Sequence, residues 1–572
     1  MKHTTASTFV GLFTLSTVLS IHAATITWTN TMAGYWSVAA NWNPNQAPGA
    51  ADTAVLPIAA SNGAALDATV TVQNLVLNGG NLYNTGYSYD TLTVNGELDW
   101  TNGILGCEIT NNGVITLAGT NGVDYSLTAY LYNAGAFNII SGNLLINYCG
   151  NNSGSLDNAP GALVDIENDA NIDISSNQFG FCNPPFSNEG LIRKSGGSGT
   201  ASIYPALNNS GTVDAQTGVI SFNGGGTLDG TLQSEGNGAL VLASNIYNTV
   251  LVLDGNLSSP NAFLEGGNLA GVGTINGTLT WIAGSFASGS SGLTIGTNGV
   301  MILAGTNGGD YSLNAALYNN GAFKLVGGNL LINYCGSAFG EFFNEPGGLV
   351  DFQNDASIVA SCGGQLVNRG IVRKSGDLGT SDIGAPFDNT GGTLDAQFGT
   401  IALTNGYNLT GGALNIGISG PTSYGQVYLA GNPVLTGALS VNINGGPLTN
   451  GNAFPVVTYA SASGAFSPAT LPPWIKWQTN YGPTALTLTV VNLDGQPVLE
   501  PAALPGAGQL FGLEFTGNPN ATYSILATTN LIVPLTNWTV LGSAILVSND
   551  LFEFVDTQTK NYPQRFYRLS SH

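Results

Sequence analysis

Carboxylate-driven cleavage of a polymer needs two acids, or an acid beside a lysine or arginine, on one exposed face. Few side chains in this sequence could supply them. Asp124 and Asp310 occur in a shared DYSL, and Asp165 and Asp351 in LVDI and LVDF. Arg193-Lys194 and Arg373-Lys374 both sit in N-x-G-x-x-R-K-S-G. Each of these occurs twice at equivalent places. A catalytic site rarely needs two copies in one chain, whereas a structural turn does, so these positions read first as architecture. An enzyme would require several of Glu108, Asp124, Asp165, Asp169 and Arg193 to converge in one cleft. A second candidate is aromatic. Trp28, Trp36 and Trp42 fall within one short stretch and could stack on a sugar, or could close the end of a stacked fold.

Other chemistries are excluded by composition. The three histidines are His3, His22 and His572, so the body of the chain holds none. Ser-His-Asp and Cys-His catalysis and His-ligated zinc or iron are therefore ruled out. There are 33 acidic against 11 basic residues, a net charge of −22. That balance argues against nucleic acid and anionic membranes, which both need clustered Lys and Arg. It would suit cations, but the G-G-x-G-x-D array that binds calcium in β-solenoid turns is missing. We therefore expect no cofactor, with calcium as the one weak candidate. A P-loop, a Rossmann fingerprint, an EF-hand and a CxxC pair are also missing.

The elements that must carry these residues come from a duplication. GVITLAGTNGVDYSLTAYLYNAGAFNIISGNLLINYCG begins at Gly113, and a copy identical at 28 of 38 positions begins at Gly299, an offset of 186. Trp100 and Trp281, Arg193 and Arg373, and Asp214 and Asp395 extend the match at offsets of 180 or 181. Small deletions between coils account for that drift. Within each copy a shorter unit recurs, Asn-x-Gly followed by alternating apolar residues. Asn and Gly tolerate positive φ and mark turns. The alternation marks strands with one face inward. One such coil cannot bury its own apolar face, but a stack forms a continuous core with strands about 4.8 Å apart. The 80 glycines and a charged fraction of only 8% fit closely spaced turns.

The expected fold is all-β: a right-handed parallel β-helix followed by a small C-terminal β-sandwich. Residues 1–23 read as a signal peptide, with Lys2 and His3 ahead of an apolar run and Ala23-Ala24 as the cleavage site. Residues 24–60 read as an N-terminal cap. Residues 61–410 form the helix, with the duplication over about 95–230 and 276–410. Residues 411–491 close it, 492–508 link, and 509–572 make the sandwich. No later run reaches the length of a membrane-spanning helix.

The opening W-x-x-x-x-x-x-x-W…N-W…P…D-x-A-V, from Trp28 to Val55, resembles the start of autotransporter-like β-helix proteins, and the coils resemble the filamentous-haemagglutinin type. The closing Tyr-Ser-Ile…Thr-Asn-Leu…Asn-Trp…Phe-x-Phe-Val-Asp…Arg-Phe-Tyr-Arg-Leu resembles a small sandwich appended to secreted bacterial proteins, where it implies attachment or sorting. A translocator barrel, which a true autotransporter carries, is not found in this sequence.

Five cysteines complete the reading. Cys149 and Cys182 in the first copy match Cys335 and Cys362 in the second, which predicts the disulfides Cys149–Cys182 and Cys335–Cys362. Free thiols stacked in the core are the alternative. Cys107 matches Leu293 and is expected to be a buried apolar residue. The functional expectation is a secreted or cell-surface β-solenoid with a non-enzymatic adhesive or matrix role, meeting extracellular polysaccharide or cell-surface components. The alternative is a polysaccharide-binding or polysaccharide-degrading β-helix, with Trp28, Trp36, Trp42, Asp124 and Asp310 as ligand-binding candidates.

Overall fold

A computed structural model describes residues 23–571 except 86–89, 120–123, 151, 178–179, 245–248, 288–291, 307, 407–410, 494–496, 498, 503–509, 520 and 549. The expected signal peptide, apart from Ala23, and most of the expected linker lie outside the described residues. The chain is a β-solenoid of parallel stacked coils, about 16 turns in all. Its contacts divide it into two units, Met1–Asp165 with Ile174–Pro184, and Ile166–Asp173 with Pro185–His572.

Most coil strands are four residues long and alternate inward and outward side chains, as in TASI at Thr200–Ile203. The inward positions are mostly Leu, Ile, Val, Phe and Ala, and nearly all are fully buried. Each strand pairs in parallel with its counterpart one coil on, so inward side chains stack on inward ones.

The first unit opens with a closed edge. Thr25–Trp28 pairs in parallel with Thr53–Pro57 on one side and antiparallel with Trp42–Asn43 on the other. The antiparallel strand covers backbone groups that would otherwise template another chain. The last coils of the second unit end in the same way: Ala485–Asn492 runs antiparallel to both Ala453–Tyr459 and Lys476–Tyr481.

The Asn-x-Gly units do mark turns; the longer ones turn through a left-handed glycine, Gly161, Gly347 or Gly391, with φ of 81°, 93° and 82°, and the shorter ones do not. Asn111, Asn133, Asn188, Asn209, Asn319, Asn344 and Asn368 are the last residues of their strands and are buried. Their amides form ladders between coils. Asn319 Nδ2 donates to Asn344 Oδ1 at 2.7 Å, Asn344 to Asn368 at 2.6 Å and Asn368 to Asn389 at 2.6 Å. In the first unit Asn111 donates to Asn133 at 2.7 Å and Asn133 to Asn158 at 2.8 Å. The glycine is required by close approach: a Cβ on Gly135 would lie 2.0 Å from Gly113 O, and one on Gly321 2.3 Å from Gly296 O. Neither glycine is left-handed.

In the second unit the two Arg-Lys pairs occupy different strand columns. Arg193 faces Asp214 and then Gln233. Its column runs on to Ala316–Asn319, Glu341–Asn344 and Gln365–Asn368. Arg373 belongs to the column that contains Thr200–Ile203 and passes through Ala322–Gly327 and Leu349–Phe352. The long strands Ala262–Ala270 and Thr278–Phe286 cause the shift, because each serves two columns. The stretch between the Arg-Lys pairs is thus not a whole number of coils.

The C-terminal residues of the second unit form two small sheets. One holds Glu500–Ala502, Phe511–Thr516, Ile545–Ser548 and Leu551–Asp556; the other holds Tyr523–Thr528, Thr539–Ser543 and Phe566–Ser571. They share a core of Leu513, Phe515, Tyr523, Ile525 and Phe552. Asp556 ties them together. From the first sheet it accepts hydrogen bonds from Arg565 and, at 2.9 Å, from the Tyr567 hydroxyl on the second. Burial, reinforced by that carboxylate, pushes the Tyr567 hydroxyl up to about 12. The Phe-Val-Asp and Arg-Phe-Tyr parts of the closing motif thus meet as an inter-sheet contact.

Both expected disulfides are present, Cys149–Cys182 and Cys335–Cys362. Each closes a loop of about thirty residues, with sequence separations of 33 and 27. Loop-closure entropy gives each about 3.5 kcal/mol. Cys335→Ser with Cys362→Ser is expected to lower the urea midpoint, and reductant should shift the wild-type chain the same way. A midpoint unmoved by either treatment contradicts a stabilising role. Cys107 is a free thiol, fully buried, and burial raises it far above the ordinary thiol range.

Candidate functional site

The three N-terminal tryptophans are 1%, 1% and 2% exposed. Trp42 packs edge-on against both neighbours, with ring centroids 5.0 Å from Trp28 and 4.7 Å from Trp36. Trp42 Nε1 donates to Trp36 O at 2.8 Å, and Trp28 Nε1 to Asn30 O at 2.6 Å. Their ring faces are engaged within the cap and present no platform to a sugar.

Asp124 and Asp310 are exposed and in identical settings. Each accepts a hydrogen bond at 3.1 Å from the asparagine one coil on, Asn143 or Asn329. In the first unit Glu108, Asp124 and Asp165 sit on three different strand columns, so the topology does not collect them. Asp351, the counterpart of Asp165, is buried and accepts from Gln353 at 3.0 Å.

Alternation splits each Arg-Lys pair. The arginine points outward and the lysine inward, where both lysines are completely buried. Lys194 Nζ donates to Asp169 Oδ1 at 2.8 Å and to the carbonyls of Asn168 and Gly196. Lys374 Nζ repeats this with Asp355 Oδ1 at 2.8 Å, Asn354 O at 2.9 Å and Ser381 Oγ at 3.2 Å. An ammonium with three acceptors can stay charged without bulk water. Its hydrogen bond holds the Asp169 carboxyl below the usual carboxylate range. Space for the lysine stem is kept by glycine: a Cβ at Gly218 or Gly399 would lie 2.8 or 2.9 Å from the lysine Cε. The duplicated lysines are coil clamps.

No family model and no curated protein matches this chain. Function must therefore be argued from the site itself.

The feature that stands out is duplicated only in part: Arg373, Asp395 and Gln397 have counterparts in Arg193, Asp214 and Gln216, and the amides beyond them do not. Where the Arg373 column meets the closing coils, the outward row reads Arg373, Asp395, Asn415 and Ser440. Arg373 Nε donates to Asp395 Oδ2 at 2.7 Å. Asp395 Oδ1 accepts from Gln397 and, at 2.7 Å, from Asn415 Nδ2. Asn415 Oδ1 accepts from Asn442 Nδ2 at 3.1 Å, and Gln397 Oε1 from Asn444 Nδ2 at 2.6 Å. Beside this row runs a second one of smaller side chains, Ile371, Thr393, Ala413 and Ala438. The step between the rows leaves a trough of about 360 Å³, adjoining another of about 470 Å³ between Arg373 and Asn444. A third hollow of about 330 Å³ lies between Glu189 and Asp229.

Sequence reasoning named Arg373, with Lys374, among the candidates for chemistry and read it first as architecture, named Asp395 only as a mark of the duplication, and took Asn415, Asn442 and Asn444 as part of the closing coils. The signal that could have found them is the run of amides at outward strand positions past residue 411. Among the described residues no group of three or more His, Cys, Asp and Glu is placed to hold a metal ion, and no helix is long and apolar enough to cross a membrane.

Proposed function

We propose that this protein is an exported, non-catalytic β-solenoid that serves as an adhesive or matrix scaffold outside the cell. The observation that carries the reading is the state of the duplicated polar residues. Asp124 and Asp310 make the same coil-to-coil hydrogen bond, and Lys194 and Lys374 the same buried clamp. Groups engaged identically in both copies hold shape; they are not poised as an acid and a base. Two disulfides fit an oxidising compartment. The resemblance to autotransporter-like passengers supports the same location, and the C-terminal two-sheet module serves attachment or sorting on this reading. No cofactor is required.

The test is incubation of the oxidised chain with insoluble cellulose, xylan and pectate, scoring co-sedimentation and soluble products together. Retention without released oligosaccharides supports the scaffold. Release of reducing ends or of unsaturated uronates overturns it in favour of a polysaccharide-degrading enzyme.

A further inference from the structure

We propose that the trough bounded by Arg373, Asp395, Asn415 and Asn442 binds a neutral, hydroxyl-rich glycan chain lying along the stacked coils. The inference deepens the scaffold reading by naming what its outer face holds.

Several observations carry it. The polar wall combines a guanidinium, a carboxylate and amides, the groups that bind neighbouring sugar hydroxyls in pairs. The adjoining row of Thr393, Ala413 and Ala438 is a small-residue floor that a sugar ring's C–H face can cover. The two surfaces therefore match the two sides of a pyranose. The polar groups also recur coil by coil, about 4.8 Å apart, a rise close to that of one pyranose unit in an extended chain. A linear glycan along the axis would meet a new wall residue at each unit.

Charge points to a neutral ligand. Arg373 is the one base in the wall, and Asp395, 3% exposed and hydrogen-bonded to it, offsets it. The chain as a whole carries −22, which repels uronate polymers. The wall groups are positioned before any ligand arrives. Asp395 is buried and bridges Arg373, Gln397 and Asn415, which limits the ordering cost of binding.

Position supplies the last argument. In the first copy the matching row is Arg193, Asp214 and Gln233, and it stops there, because the next strand, Asn256–Leu257, pairs with Thr231 and Leu232 only. The amide-rich extension through Asn415, Asn442 and Asn444 occurs only past the second copy. Arg373, Asp395 and Gln397 repeat a coil contact, but the amide wall that completes the trough does not, so the trough as a whole is not explained as a repeated coil contact.

The experiment is calorimetric titration of the oxidised chain with cellohexaose, xylohexaose and hexagalacturonate. We expect saturable binding of at least one neutral hexasaccharide and none of the uronate. Asn442 is exposed, so its replacement leaves the core intact. Asn442→Ala should weaken binding about three- to tenfold, the effect of one lost hydrogen bond. Asn442→Trp should fill the trough and abolish binding. Gln233→Ala, which in the first copy stands where Asn415 stands in the second, should bind as wild type.

The proposal is overturned if neither neutral sugar binds saturably, if hexagalacturonate binds more tightly, or if both Asn442 variants bind like wild type. These failures differ from that of the scaffold reading. Released products would overturn the scaffold while leaving neutral-sugar binding intact; absent saturable binding would remove the trough while leaving a non-cleaving scaffold.

Discussion

Asn344→Ala is expected to destabilise the second unit locally by about 4 kcal/mol, from two buried groups left unsatisfied at 1–3 kcal/mol each. Asn344 stands in the middle of the amide ladder. It accepts from Asn319 and donates to Asn368, and its Nδ2 also reaches Ile371 O at 3.1 Å. Alanine removes the acceptor for one neighbour and the donor for the other, in a place that water does not reach. The loss should be confined to adjoining coils, because each coil of a solenoid is stabilised mainly by its neighbours. Hydrogen exchange is therefore the right measurement, since global unfolding of a long array need not be two-state. Amides in Ala316–Asn319 and Gln365–Asn368 should exchange at least a hundredfold faster, while those in Thr25–Trp28 stay as they are. Unchanged protection in the adjoining strands would mean that the ladder contributes nothing beyond the backbone pairing.

Trp42→Ala is expected to cost about 4 kcal/mol, the usual range for deleting a large buried aromatic. Its effect should be on the cap. Trp42 fills the space between Trp28 and Trp36, and its strand covers the free side of Thr25–Trp28. Without it the first parallel strand becomes an open edge. Two readouts follow. Protection should fall across Thr25–Trp28 and Thr53–Pro57, and the variant should self-associate as its concentration rises, which light scattering would detect. A variant that stays monomeric and fully protected would show that the tryptophans do not close the end. Trp42→Phe, which keeps most of the buried ring area, should retain most of the wild-type protection.

The duplication shows how far local pattern reaches and where it stops. Alternation over four residues was enough to orient Arg193 outward and Lys194 inward, yet the pair read as one basic feature until the coil placed Asp169 and two carbonyls around the lysine. The Asn-x-Gly unit was legible as a turn because those residue types are turn formers. Its reason was not, since close approach of Gly135 to Gly113 involves a backbone 22 residues away. The cysteines were legible because matched retention in two copies restricts the pairings. The trough was not, since its wall joins strands from Ile371–Lys374 to Ala438–Ile443, and no short window contains it.

The sequence by itself determined that the chain is a coiled β-structure and restricted the cysteine pairing to partners within each copy, with free thiols as the alternative that the structure removed. Those conclusions depend on composition and on periods of two residues and one coil, which are local quantities. Only the tertiary structure decided that Arg193 and Arg373 lie on different columns. That depends on the summed length of the intervening coils, and two long strands each serving two columns shift the count by a fraction of a turn. The same stacking brought Arg373, Asp395, Asn415 and Ser440 into one row, with Asn442 reaching Asn415 from the side, because parallel register sets residues about twenty to thirty positions apart side by side.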